Sequence, residues 1–308
     1  MALAFISHPD CALHRVAAHH PEKAERLAAV EDRLIASGLD SVVQHFDAPL
    51  ADRAKLARVH DEAHIDWIEA NAPAGDEMVC LDEGDTVMTA HSLSAAQRAA
   101  GAAVLGVDLV MADRAHAAFC CVRPPGHHAE TNRAMGFCLF NNVAVGTAHG
   151  LEHYGLERVA IVDFDVHHGN GTEQIFRNDP RILFCSTFQH PFYPFTGHEA
   201  ETVNLVDAPL PAGTGSDAFR AAVLEHWMPA LDRFRPQLLM ISAGFDGHAE
   251  EDMAHFMLVD DDYAWITRQL VDVAQRHCKG RVVSCLEGGY ALSALGRSAV
   301  AHIKTMAE

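Results

Sequence analysis

The chain has 308 residues, 49% of them hydrophobic, and 42 acidic against 23 basic side chains give it a formal charge of −19. This length suits one large α/β unit, and the apolar fraction excludes wholesale disorder. The acidity excludes a nucleic-acid binder working through a broad basic surface and leaves a mild preference for cationic partners.

In chain order, helical and strand signals alternate. The first ten residues hold no basic run and only five consecutive apolar residues after Met1, too few for a signal peptide. Leu27, Val30, Leu34 and Ile35 at helical spacing, with Gly38 as a stop, predict a helix over 21–37. A short helix is expected over 61–71 and a long Ala-rich one over 92–113. A buried strand over 115–122 ends at Arg123-Pro-Pro-Gly126. There follow a helix over 142–154, strands over 158–163 and 181–185, a helix over 216–234, a strand over 237–242, a helix over 259–277, a strand over 281–286 and a closing helix over 292–306. Short continuous apolar strands between helices imply an α/β fold with a mostly parallel sheet covered on both faces. No repeat or linker divides the chain, so a single domain over 1–308 is expected. Residues 188–214, rich in Pro, Gly and Phe, read as a long loop of the kind that carries function. No run of about 18 apolar residues is found, so no membrane span is expected. The eight cysteines lie mostly in apolar runs and include no Cys-x-x-Cys pair, which predicts reduced, buried thiols in a cytoplasmic protein.

In open α/β sheets a ligand sits beyond the carboxyl ends of the strands. Here those ends are followed by His127-His128, by Asp163-Phe-Asp165-Val-His167-His168-Gly-Asn170, by Asp246-Gly-His248 and by Glu287-Gly-Gly-Tyr290. Asp163, Asp165 and His167 have period 2 and share one side if the strand runs on. Carboxylates and an imidazole converging there need a cation or a proton network. Asp165, His167 and Asp246 would make a three-ligand site with an open position, as catalytic zinc requires. An isolated Asp at a strand end is ordinarily a helix cap; spacing and convergence argue otherwise here. A catalytic imidazole in the His127-His128 pair needs its far nitrogen anchored, and Asp163 and Asn170 are both available for that. Tyr290 could donate to an oxyanion or be capped by a backbone carbonyl.

These motifs resemble the histone deacetylase superfamily. The residues are Arg123-Pro-Pro-Gly-His-His-Ala129, Gly136-Phe-Cys-Leu-Phe-Asn-Asn142, Asp163-Phe-Asp-Val-His-His-Gly-Asn-Gly171, Ser242-Ala-Gly-Phe-Asp-Gly247 and Leu286-Glu-Gly-Gly-Tyr290, with weaker matches in His20-Pro-Glu-Lys-Ala-Glu-Arg26 and Val59-His60. Asn170, where one branch carries Asp, makes the chain look like the class II-type branch, which includes bacterial acetylpolyamine amidohydrolases. The resemblance implies the arginase–deacetylase fold, a mostly parallel sheet of about eight strands with helices on both faces. It implies one catalytic Zn²⁺ on Asp165, His167 and Asp246, with Fe(II) compatible with the same donors. It implies Asp163 as partner of His127, Asn170 as partner of His128, and Tyr290 as the carbonyl-polarising group. Gly136, Phe137 and Tyr193 would line the substrate tunnel, Phe192 being a rival to Tyr193, with Met253 at its rim. A structural K⁺ would sit on backbone carbonyls of Asp163, Asp165 and His167 with Ser186.

The implied reaction is hydrolysis of an N-acetyl amide on lysine, with His128 as general base and His127 helping to protonate the amine. An acetylpolyamine is the rival substrate, and the acids of Glu83-Gly-Asp85 or Glu250-Glu-Asp252 could read its remote amine. A manganese ureohydrolase and an inactive acyl-ligand binder are the other readings, both disfavoured by the intact motifs. The expected partners are an acetylated lysine peptide or protein, or an acetylated polyamine, and neither nucleic acid nor membrane. A homo-oligomer is compatible with the sequence.

Overall fold

Period-2 and period-3.6 apolar patterns become a layered structure. The computed structural model describes residues 2–82, 84, 86–197 and 202–308. The chain runs β1 (Ala4–Ser7), α1 (Asp10–Leu13), α2 (Glu25–Ala36), β2 (Gln44–Asp47), α3 (Arg53–Leu56), α4 (Glu62–Ala70), β3 (Val79–Cys80), β4 (Val87–Met88), α5 (Ser92–Met111), β5 (Ala117–Cys120) and α6 (Asn142–Tyr154). It continues through β6 (Val159–Asp163), α7 (Asn170–Phe176), β7 (Ile182–Gln189), β8 (Leu205–Leu210), α8 (Ser216–Ala222), α9 (Met228–Phe234), β9 (Leu238–Ala243), α10 (Asp260–His277), β10 (Val282–Leu286) and α11 (Leu292–Ala307).

Eight strands form one sheet in the order β2-β1-β5-β10-β9-β6-β7-β8. Every neighbouring pair in it is parallel. The inner strands are buried along their whole length because helices cover both faces. Alternation along β5 and β10 shows the two faces. Ala118 and Val283, paired in register, look toward Gly106 of α5, while Phe119 and Ser284, also paired, look toward His302 of α11. A Cβ at Gly106 would lie 2.8 Å from Val283 Cγ1, so the Ala/Gly face of α5 sets how closely that helix approaches the sheet.

The structure departs from the sequence reading at several places. Strands β1 and β2 were not expected; β1 is too short for a periodic signal, and β2, Gln-His-Phe-Asp, is an edge strand with mostly exposed side chains. Strand β8 lies inside the expected loop 188–214, its Pro209 tolerated because it runs along the sheet edge. The helix expected over 216–234 is interrupted by a π-helical turn, Val223–Trp227, just before Pro229, which has no N–H to donate to the preceding turn. Finally, α5 is long and apolar enough to cross a membrane by length and composition. Here it is mostly buried between α6 and the sheet. All eight cysteines are free and all but Cys80 are buried.

One core histidine has a thermodynamic consequence. His302 is buried among the rings of Phe119, Phe164 and Phe245, bonded to Thr267 Oγ1 at 2.5 Å and Ser284 Oγ at 2.9 Å. Burial pushes its pKa down to about 3 from 6.5. Below pH 6.5 the unfolded chain takes up a proton that the folded chain refuses, so stability falls as pH drops toward 3, by up to about 1.4 kcal/mol per pH unit. The melting temperature of the wild type is therefore expected to decline more steeply below pH 6.5 than that of His302→Gln; equal slopes in a pH series of thermal melts would contradict this.

Candidate metal centre and substrate pocket

Strand β6 delivers two carboxylates past its end. The strand stops at Asp163, so Asp165 and His167 lie beyond its extended run. Side-chain-to-backbone bonds hold the turn instead: Asp163 Oδ1 accepts from Asp165 N at 3.1 Å, and Asp165 Oδ1 from His167 N at 2.9 Å. These local Asp bonds replace the ladder that β6 gives up. Asp246 arrives from the end of β9, its Oδ1 accepting from Val166 N at 3.0 Å.

The result is a tight N,O,O group. His167 Nδ1 lies 3.0 Å from Asp165 Oδ1 and 3.1 Å from Asp246 Oδ2. The three ligand atoms suit a single metal ion. Backbone presses close behind them: a Cβ at Gly288 would fall 2.0 Å from Asp246 Oδ2 and 2.6 Å from Asp165 Oδ2. Gly288 N donates to Asp165 Oδ2 at 2.8 Å.

The tandem histidines follow β5 and have different anchors. His127 Nδ1 pairs with Asp163 Oδ2 at 2.9 Å. Burial opposes a charge on this ring, but Asp163 and Asp165 outweigh it and raise its pKa well above the usual 6.5. His128 Nδ1 pairs with Asn170 Oδ1 at 2.8 Å. The Asn170 amide is oriented by Nδ2 donating to Glu130 Oε1 at 2.8 Å, so its oxygen faces His128 and the His128 proton sits on Nδ1. Burial, then the neighbouring His127 and His167, drive the His128 pKa well below 6.5, which leaves Nε2 an unprotonated base. The two rings lie 4.0 Å apart, one cationic and one neutral.

A cavity of about 150 Å³ opens onto this group, lined by His128, Gly136, Phe137, His167, Phe192, Tyr193, Met253 and Tyr290. All four residues expected to bind substrate line it. Both Phe192 and Tyr193 take part: Phe192 stacks on His167 at 5.4 Å and Tyr193 meets His128 edge-on at 5.3 Å. Gly136 has φ +55°, and a Cβ there would lie 2.4 Å from the His128 ring. Phe137 also has positive φ, 69°, a strained conformation that puts its ring edge-on to Tyr290 at 5.9 Å.

A family model described as "Histone deacetylase domain" matches residues 20–306. The chain belongs to the histone deacetylase family. A "Probable deacetylase" of Archaeoglobus fulgidus is 36% identical over 306 residues, covering 95% of this chain and 82% of that protein. "Polyamine deacetylase HDAC10" of Mus musculus is 33% identical over 327 residues, covering 99% of this chain and 48% of that protein. A crystal structure of "HDA15 HD domain" superposes with a TM-score of 0.92 at 31% identity, covering 99% of this chain and 90% of that one. The chain therefore has the arginase–deacetylase fold and is a family hydrolase acting on amides.

Around this deacetylase site stand residues whose roles the motifs did not disclose. Glu287 is fully buried; it accepts from Gly126 N at 2.7 Å, His127 N at 3.1 Å and Ser242 Oγ at 3.0 Å, joining the ends of three strands. Arg26 donates to Gly289 O at 2.6 Å and to Glu287 O, and its guanidinium lies 4.9 Å from the Tyr290 ring centre. Glu22 holds Arg26 and Arg123 together in a sealed ion cluster. Glu251 accepts from Tyr290 N at 2.7 Å and Ala291 N at 3.0 Å, and Glu250 pairs with Arg297 at 2.6 Å. These two acids are thus engaged within the protein; Glu83 and Asp85 lie outside the described residues. Apart from the i,i+4 pair of Glu22 and Arg26, these roles rest on long-range pairing that no local spacing signals.

Gly288→Ala tests the packing behind the carboxylates. Its divalent-ion affinity is expected to fall by at least about tenfold with the far-ultraviolet dichroism unchanged. Unaltered affinity in a chelator competition would show that the carboxylates do not need this space.

Proposed function

We propose that this deacetylase is a zinc enzyme that cleaves the N-acetyl amide of a lysine side chain, releasing acetate and the free amine. The observation that carries the reading is the Asp165–His167–Asp246 group at the floor of an apolar cavity, flanked by one cationic and one neutral histidine. The donors fit a zinc ion: one nitrogen and two carboxylate oxygens, cradled by glycine backbone that leaves no room for a side chain. Bound there, zinc would polarise the acyl carbonyl and acidify water.

The remaining chemistry belongs to the chain. Phe137, Phe192 and Tyr193 line a narrow apolar passage suited to an aliphatic stem, with Met253 beside them. His128 Nε2 takes the proton of the attacking water, its Nδ1 proton held by Asn170. His127, kept cationic by Asp163, supplies positive charge and helps protonate the departing amine. Burial raises the Tyr290 pKa well above 10, so its hydroxyl stays protonated and donates to the developing oxyanion. A structural K⁺ beside β6 is supported by Ser186 Oγ, which is buried without a hydrogen-bond partner. The eight free thiols support a reducing compartment such as the cytoplasm, and the family match over 20–306 supports one catalytic domain.

A polyamine substrate is the second reading, favoured by the likeness to a relative named a polyamine deacetylase and by the −19 charge. Met253 in the cavity wall and the engagement of Glu250 and Glu251 favour the lysine side chain.

In acetate-release assays of metal-loaded protein, Tyr290→Phe and His128→Ala are each expected to lower kcat by about a hundredfold or more. Near-wild-type turnover would remove these roles. Side-by-side kcat/KM values are expected to favour an acetyl-lysine peptide over acetylputrescine; the reverse order would assign the polyamine.

A further inference from the structure

The residue after His167 begins a second group of the same composition. His168 is buried against Phe184 and Phe188, in a group apart from the catalytic donors. Its Nε2 lies 2.9 Å from Glu173 Oε2, in the first turns of α7, and 3.7 Å from Asp207 Oδ1, on edge strand β8. All three atoms are sealed from solvent, and none has a hydrogen-bond partner. The 2.9 Å approach therefore lacks hydrogen-bond alignment, so the ring nitrogen and both carboxylate oxygens point into one space with their bonding capacity unused. Leaving such atoms unsatisfied inside a protein is unfavourable, more so when they are charged, which calls for an occupant.

Three further features narrow the occupant. Ligand atoms bound to one tetrahedral ion at about 2.1 Å stand roughly 3.4 Å apart, a spacing that the two measured separations bracket. His168 Nδ1 lies 2.7 Å from Thr196 Oγ1, an outer hydrogen bond of the kind that orients a metal-binding imidazole. Arg177 pairs with the other oxygen of Glu173, Oε1, so Oε2 alone faces the group. Two carboxylates and one arginine leave one negative charge over, which either a proton on His168 or a bound cation would neutralise.

We propose that His168 Nε2, Glu173 Oε2 and Asp207 Oδ1 form a second site for a divalent transition-metal ion, separate from the catalytic centre. The Asp207 side chain is 20% exposed, which leaves a side from which water can complete the coordination. The enclosure by Phe184 and Phe188 makes the ion structural: it pins α7 and the edge strand β8 to the turn that carries His167.

The test is the metal content of the whole protein, reconstituted with Zn²⁺ or, separately, Mn²⁺, desalted and measured by mass spectrometry of the elements. Wild type is expected to hold two divalent ions per chain. Asp207→Asn, which retains the catalytic donors, is expected to hold one and to remain active, with a lower melting temperature. Asp246→Asn is expected to lose the other ion, and the double variant both. One ion in the wild type with either metal, lost on Asp246→Asn, would overturn the proposal and leave a shared proton as the occupant. Two ions retained in Asp207→Asn would also overturn it. Should Asp207→Asn fail to fold, Glu173→Gln and the wild-type count decide by the same criteria.

Discussion

Asp163, Asp165 and Asp246 are all buried at the carboxyl edge of an otherwise apolar sheet, and the protein around them is organised to tolerate that charge. Removing three carboxylates from water is unfavourable unless positive charge and hydrogen-bond donors replace the solvent. His127 supplies one cation, backbone N–H groups from Asp165, Val166, His167 and Gly288 supply donors, and a metal ion held by Asp165, His167 and Asp246 would supply the rest. The same demand explains the outer layer. Glu287, pushed up to about pKa 7 by burial, is bound by Gly126 N and His127 N, and Arg26 reaches its backbone carbonyl. Glu22 then neutralises Arg26 and Arg123 together, its own pKa held well below the usual range because Arg123, His14 and Arg26 outweigh its burial. Each charge is thus answered by the next, outward from the reaction centre.

This chain of compensation also separates the two histidines. They are neighbours in sequence and 4.0 Å apart as rings, yet an anion behind one and an amide behind the other push their pKa values in opposite directions. The same side chain is thus set cationic in one case and neutral in the other by what surrounds it. The cavity contributes by excluding water, which strengthens each of these interactions.

The central strands were legible in the sequence because burial on both faces leaves continuous apolar runs such as Arg158-Val-Ala-Ile-Val-Asp163. The edges were not: β2 is mostly exposed, and β8 carries an Asp and a Pro within six residues. Likewise, the donors Asp165, His167 and Asp246 stood out because polar residues recur where strands end. Arg26, Glu251 and Glu287 did not, because each acts through a partner distant in the chain, Glu251 through Tyr290, 39 residues away. The surplus of 22 histidines resolves in part: His302 fills core space, His168 belongs to the second cluster, and three others surround the reaction centre.

The strand order carries a consequence for biosynthesis. Strand β10 is made after the seven other strands of the sheet, yet it lies in the middle, joining β2-β1-β5 on one side to β9-β6-β7-β8 on the other. Until it inserts, His127 and His128 belong to one half-sheet and Asp165, His167 and Asp246 to the other, with no backbone ladder between them. The nascent chain therefore holds two unpaired inner edges, the kind of surface that chaperones shield and that aggregates recruit. The two halves of the candidate site come to share one sheet only when a five-residue strand closes the gap.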